Sequence, residues 1–317
     1  MYNQFMGLDK LIIDYLEYCE VDKNLSQGTI KMYHFYLNDF LNWSKQFLRR
    51  DVVNVKDVTL DLIQKYRVNL NRRISGKSRE SFKRNTQKTF LIALRAFLRY
   101  LIIKKGLDVP APEQIDLGKS EERIPKFLND EQLDRIMSVQ NLDKRSGIRD
   151  KAILEMLFST GLRVSELVKL NRDDINFNTR EFSIVGKGRK VRTVYLSETA
   201  ASWLLRYLDT RRDEFSPLFL RYSGRQMDSD DLDGESLRLT ARSVQRLVKK
   251  YVLRAGISVD ATPHSLRHTM ATTLLANGAD LRSVQEILGH SNVSTTQIYT
   301  HVTNRRLKEV HDKFLKR

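Results

Sequence analysis

Thr262-Pro-His-Ser-Leu-Arg-His-Thr269 reads as the opening of a helix, with Thr262 as its N-cap and Pro263 at the first helical position, where a missing N–H does no harm. This places His264 and Arg267 in the first turns, three residues apart and on one face. A helix start presents unpaired N–H groups and a partial positive charge, and an arginine there adds a two-pronged donor for phosphate oxygens. Downstream come Leu288-Gly-His290 and Gln297-Ile-Tyr-Thr-His-Val302, and five of the six histidines fall between His264 and His311. His290 follows Gly289 at the end of a helix opened by Asp280. Ser294 and Gln297 form a capping pair for a short helix that carries Tyr299. Imidazoles beside guanidinium groups suit phosphate chemistry, and a tyrosine among them is a candidate nucleophile toward phosphorus.

Around this stretch the chain is long and basic. Its 317 residues allow two domains with separate cores, and 41% hydrophobic with 30% charged residues describes a folded, soluble protein. Fifty-five Lys and Arg against 39 Asp and Glu leave a net charge of +16, which favours a polyanionic partner. Asp9, Lys10 and Asp14 interrupt the apolar residues from Met1 to Glu20, which reads against a signal peptide or a membrane span. The single Cys19 reads against a disulfide framework and a multi-cysteine metal site, so a cytoplasmic address is expected. Pro110, Pro112 and Pro125 punctuate a stretch without helical or strand periodicity. Residues 108–125 are therefore expected to link an N-terminal domain, 1–107, to a C-terminal one, 126–317.

The N-terminal part reads as wholly helical. Ser26 or Asn24 can cap a helix carrying Ile30, Tyr33, Tyr36, Leu37 and Leu41, and Thr59 can cap the next. The strongest periodicity runs from about Asn85 to Lys105 and stops at Gly106. Its Phe90, Leu94, Phe97, Leu98 and Leu101 share one arc, whereas Arg84, Lys88, Arg95 and Arg99 cluster within roughly 60° of one another on a flank. Arg72, Arg73, Lys77, Arg79 and Lys83 extend this field with only Glu80 opposing it. Any one of these cations could be an ordinary solvated side chain, but the missing counter-charges make the stripe a candidate phosphate contact.

In the C-terminal part, Asn129 and Gln132 form a capping pair for a helix over Asp130 to Ser138. A second helix, roughly Arg149 to Ser159, ends at Thr160-Gly161, and another starts at once with Leu162-Arg-Val-Ser-Glu-Leu167. Two β-rich runs, Glu181 to Val185 and Val191 to Leu196, flank Gly186-Lys-Gly-Arg-Lys190 and predict a hairpin. Helices follow over Ser197 to Arg212, Thr240 to Ala255, Thr262 to Ala276 and Asp280 to Leu288. The fold class is thus mainly α with one small β-hairpin. Arg242, Ser243 and Arg246 on the Thr240 helix are candidate DNA contacts.

Metal and nucleotide chemistry find little support. His264 and His268 have zinc-helix spacing, but no Glu follows the first histidine and Arg267 would repel a cation between them. Ser229-Asp-Asp-Leu-Asp-Gly234 departs from a calcium loop at its first ligand, and Thr240 stands where a bidentate Glu belongs. No Walker motif or dinucleotide fingerprint occurs, so no cofactor is expected.

Together, Thr160-Gly-Leu-Arg-Val-Ser-Glu-Leu167, Val185-Gly-Lys-Gly188, His264-Ser-Leu-Arg-His268, Leu288-Gly-His290 and Gln297-Ile-Tyr-Thr-His301 resemble the tyrosine recombinases, also called the phage integrase family, and most closely its Xer type. The resemblance implies a SAM-like helical core-binding domain followed by a catalytic domain of the DNA breaking–rejoining fold, clamped on duplex DNA. It implies that Arg163 and Arg267 hold the scissile phosphate, that Lys187, His264 and His290 complete the pocket, and that Tyr299 attacks. Glu166 and His268 would support them. It further implies strand exchange through a Holliday junction by a homo- or hetero-tetramer on two DNA sites, with a sister recombinase as a possible partner. Chromosome or plasmid dimer resolution, and with it chromosome partition at cell division, is the implied task. Integration, transposition, or strand relaxation of the type IB topoisomerase kind stand as alternatives, as does DNA binding without catalysis. The acidic stretch from Met227 to Glu235 is longer than the compact Xer pattern and puts partner contacts there in doubt.

Overall fold

A computed structural model describes residues 6–74, 80–118, 127–186, 191–223 and 231–289. The chain divides into two compact units, Met1–Arg123 and Ile124–Arg317.

The first unit is built from α1 (Leu8–Val21), α2 (Gln27–Leu48), α3 (Leu60–Arg72) and α4 (Arg84–Lys105). Ser26 caps α2 by accepting from the Thr29 N–H at 3.3 Å, and Thr59 caps α3 by accepting from Leu62 at 3.2 Å. Gly106, at φ +61°, ends α4 in the left-handed region that glycine enters without strain. The arc foreseen on α4 is buried throughout, and Phe97 meets Tyr15 at 5.5 Å between ring centroids. Tyr66 is also sealed in this core, with its hydroxyl donating to Asp39 at 2.7 Å so that its polar end is satisfied. The proline-bearing stretch after Gly106 holds a short 3-10 turn, Pro112–Gln114, and Leu107 and Ile115 are buried in the same core.

The second unit contains α5 (Asp130–Ser138), α6 (Arg145–Thr160), α7 (Val164–Leu167), β1 (Glu181–Val185), β2 (Val191–Tyr195), α8 (Glu198–Asp209), α9 (Ala241–Arg254), α10 (Pro263–Ala276) and α11 (Leu281–Leu288). Asn129 and Gln132 cap α5 reciprocally, at 2.8 and 3.2 Å. The strands pair antiparallel with Glu181 opposite Tyr195 and Val185 opposite Val191.

Three boundaries differ from the sequence reading. Helix α6 starts a turn earlier than expected. Gly147 lies in its first turn, where a Cβ would meet the Asn141 carbonyl oxygen at 1.7 Å, so a residue that normally weakens a helix is here required by close packing. Helix α8 stops at Asp209 instead of Arg212, because the buried Arg211 guanidinium leaves the helix to donate to the carbonyls of Phe215 and Pro217 at 2.8 and 2.7 Å. Helix α7 begins at Val164, with Arg163 as its cap. Among the described residues, no helix is long and apolar enough to cross a membrane.

Candidate active site

The site begins where α6 ends. Gly161 adopts φ +58°, and a Cβ there would lie 3.0 Å from Leu288 Cδ2 and 3.2 Å from Met270 Cε, so conformation and crowding both demand glycine. Two residues on, Arg163 caps α7. Glu166 reaches back to accept from the Arg163 backbone N–H at 2.8 Å and from its Nη1 at 2.9 Å. One carboxylate thus fixes both the main chain and the side chain of Arg163.

The partner segment is the start of α10. Thr262 and Ser265 cap the helix reciprocally, at 3.3 and 3.1 Å, and Pro263 occupies the first position. Arg267 is 2% exposed. It donates to the Gly161 carbonyl and, through Nη2 at 2.6 Å, to the carbonyl of Leu288. Leu288 closes α11, whose partial negative charge at that end favours a cation. Arg267 therefore ties the turn leading to Arg163 to the end of α11 with its charge solvated by backbone carbonyls.

Arg163, His264 and Arg267 line one cavity of about 530 Å³, together with Ser165, Gln245 and Lys249. The His264 ring faces this opening on one side and meets His268 edge-on at 4.4 Å. Desolvation, then the charges of Arg267 and Arg163, lower its pKa below the ordinary 6.5. An imidazole held neutral beside two guanidinium groups can accept a proton while the arginines hold an anion.

Lys187, His290 and Tyr299 lie outside the described residues, of which Gly186, Val191 and Gly289 are the nearest in sequence. The cations expected to meet DNA fall into separate groups. Arg84 and Lys88 line a depression of about 440 Å³ with Arg67 and Arg72. Arg95 and Arg99 line another, of about 640 Å³, with Lys23 and Lys104. Arg99 is ion-paired with Glu113, an acid that the sequence reading of α4 did not weigh, and the Glu113 carboxyl is held below the usual carboxylate range by its backbone N–H and that arginine. Arg242 and Arg246 are exposed one turn apart on α9, and Gln245 and Lys249 on the same helix reach the cavity. In the acidic stretch, Asp231 accepts from the N–H groups of Glu235 and Ser236 at 2.8 and 2.7 Å, which makes it a turn-capping residue.

One site residue was missed. Arg192 on β2 donates to Glu166 through Nη1 at 3.3 Å and Nη2 at 3.0 Å. A signal for it existed: strand alternation puts Arg192 on the face of Val194 and Leu196, and an arginine on an apolar face requires a buried partner.

Both units of the chain match known protein families. Residues 126–306 match the phage integrase family and residues 12–105 match the phage integrase N-terminal SAM-like domain. The chain belongs to the phage integrase family. Within this family of tyrosine recombinases it is 36% identical over 311 residues to tyrosine recombinase XerD of Listeria innocua, covering 97% of this chain and 99% of that one. It is likewise 36% identical over 308 residues to tyrosine recombinase XerC of Oceanobacillus iheyensis, covering 96% of each. The fold is shared with the XerH site-specific recombinase crystallised with its palindromic difH substrate, at a TM-score of 0.68 and 21% identity over 95% of this chain and 84% of that one. This phage integrase family member is thus an enzyme with a SAM-like helical domain followed by a mainly helical domain bearing one hairpin.

Proposed function

We propose that the chain is a site-specific recombinase that breaks and rejoins duplex DNA through a 3′-phosphotyrosyl intermediate. The observation that carries this reading is the meeting of Arg163 with His264 and Arg267, from two distant segments, around one cavity. In the proposed step the Tyr299 hydroxyl attacks the scissile phosphorus. Negative charge grows on the two non-bridging oxygens, and the guanidinium groups of Arg163 and Arg267 stabilise it with donors already in place. His264 accepts the phenolic proton, and Lys187 delivers a proton to the departing 5′ oxygen. His290 completes the phosphate pocket, and His268 supports His264 from the side. The phosphotyrosyl diester keeps the energy of the broken bond, so a 5′ hydroxyl of a second strand reverses the step without ATP.

The exposed Arg84, Arg99, Arg242 and Arg246 and the half-buried Lys88 and Arg95 supply contacts to the DNA backbone and grooves. Two domains, 1–107 and 126–317, share this work across the 108–125 connection. The active assembly is a homo- or hetero-tetramer on two sites, with a sister recombinase as one possible partner. Its setting is the cytoplasm, and its task is dimer resolution that allows chromosomes to part at cell division.

A nicked suicide substrate, from which the cleaved strand diffuses away, tests the chemistry. The wild-type chain should form a covalent adduct through Tyr299, and Tyr299→Phe should bind the same DNA without forming one. An adduct that persists in Tyr299→Phe would falsify the assignment of the nucleophile.

A further inference from the structure

Glu166 serves two arginines, and its carboxylate is divided between them. Oε1 accepts from Nη1 of Arg163 at 2.9 Å and from Nη1 of Arg192 at 3.3 Å. Oε2 accepts from the Arg163 backbone N–H at 2.8 Å and from Nη2 of Arg192 at 3.0 Å. The Arg192 side chain is 12% exposed and that of Glu166 10%, so this pair is largely shielded from water, whereas the Arg163 side chain is 37% exposed on the cavity side. Among the described residues Glu166 is the only hydrogen-bonding partner of Arg192, and Arg192 Nε is buried with none. Arg192 lies under a second contact. A Cβ on Gly289, at φ +63°, would stand 2.9 Å from both Cδ and Nη1 of Arg192, so the chain passes directly over this guanidinium on its way to His290.

An isolated Arg–carboxylate pair prefers two parallel hydrogen bonds. Glu166 does not make that pair with the Arg163 guanidinium, because both of its oxygens are already engaged by the Arg192 fork and the Arg163 main chain. We propose that Arg192 is a positioning residue: it occupies Glu166 so that the carboxylate orients Arg163 through one nitrogen only, leaving the other donors of Arg163 for a phosphate in the cavity. Without Arg192, Glu166 turns to clamp the Arg163 guanidinium and withdraws it from the anion. Gly289 belongs to the same device, since a side chain there displaces the Arg192 fork.

This inference rests on the recombinase chemistry proposed above, and the test separates the two. Single-turnover adduct formation on the nicked substrate and the dissociation constant for the same DNA are measured for the wild type, Arg192→Met, Arg192→Lys, Gly289→Ala and the double variant Arg192→Met with Glu166→Gln. Arg192→Met should form adduct about 30-fold or more slowly while its dissociation constant stays within about threefold, the signature of a donor missing from the transition state. Arg192→Lys, which keeps the buried charge but not the fork, should fall between, and Gly289→Ala should resemble it. The decisive result is rescue. Glu166→Gln in the Arg192→Met background should regain about tenfold, because a neutral amide cannot clamp a guanidinium on both sides. A purely structural Arg192 predicts the opposite, a double variant slower than the single one.

Wild-type rates in Arg192→Met and Arg192→Lys overturn the proposal. So does a rate loss mirrored in affinity, or a double variant no faster than Arg192→Met. If Arg192→Met does not melt cooperatively, Arg192→Lys and Gly289→Ala decide by the same rate and affinity criteria. A wild-type chain that forms no adduct defeats the recombinase reading itself.

Discussion

Arg84 on α4 is exposed, whereas Arg267 on α10 is only 2% exposed and donates to the carbonyls of Gly161 and Leu288. The same side chain meets opposite conditions. On α4 it moves in water, and its attraction to a polyanion is long-ranged, additive and screened by salt. On α10 its position is dictated by the protein, its field acts through a low dielectric, and any misplacement is felt at once. Exposed cations of the first unit are suited to affinity, and shielded cations of the second to stabilising charge as it develops.

The sharpest way to break this contrast is Arg267→Ala. Adduct formation should fall by about 100-fold or more while DNA affinity changes far less. Because two carbonyls lose a buried charged partner, unfolding stability should also drop by about 3 kcal/mol, read by denaturant titration. Equal losses in cleavage and affinity would count against a role confined to the transition state.

Next in size is the pH response of His264. Its folded pKa is lowered, so the unfolded chain binds the extra proton first: the stability contribution is full above the unfolded value of 6.5 and is lost as pH falls through the folded one. The acid limb of adduct formation should accordingly lie below pH 6.5 in the wild type and move up toward it in Arg163→Gln, where one of the repelling charges is gone. A limb that stays put removes Arg163 from the causes.

Smaller effects are expected on α4. Arg84→Gln should weaken binding a few-fold and lower the salt slope by about one for each phosphate it no longer neutralises, with the cleavage rate at saturating DNA unchanged. Arg99→Gln should do less, since Glu113 already balances that arginine. Glu113→Gln should strengthen binding slightly at low salt.

Much of this was legible in the chain. Caps such as Thr262, Asn129 and Thr59 act within three residues and can be read locally, which is why most helix starts fell within a residue or two of expectation. Phe90 to Leu101 on α4 declared their buried face by period alone. Failures came where distant residues decide the outcome. Gly147 tolerates a helix because of the Asn141 carbonyl, Arg211 abandons one for carbonyls beyond it, and the Arg99–Glu113 pair joins α4 to a turn past its end. In the site, Arg163, His264 and Arg267 stood out as unusual residues in recognisable spacing. Arg192 stood out less: alternation set it on the apolar face of Val194 and Leu196, but the partner that this position required, Glu166, lies far off in the chain and is named only by the fold.

The seat of Arg267 on the Leu288 carbonyl also bears on how the cavity keeps its shape. That bond fastens the last turn of α11, and its companion fastens the Gly161 turn ahead of Arg163, so a single side chain sets the spacing of the two. Replacing that arginine by a shorter cation would let the two anchored ends drift apart even though the charge stayed in place.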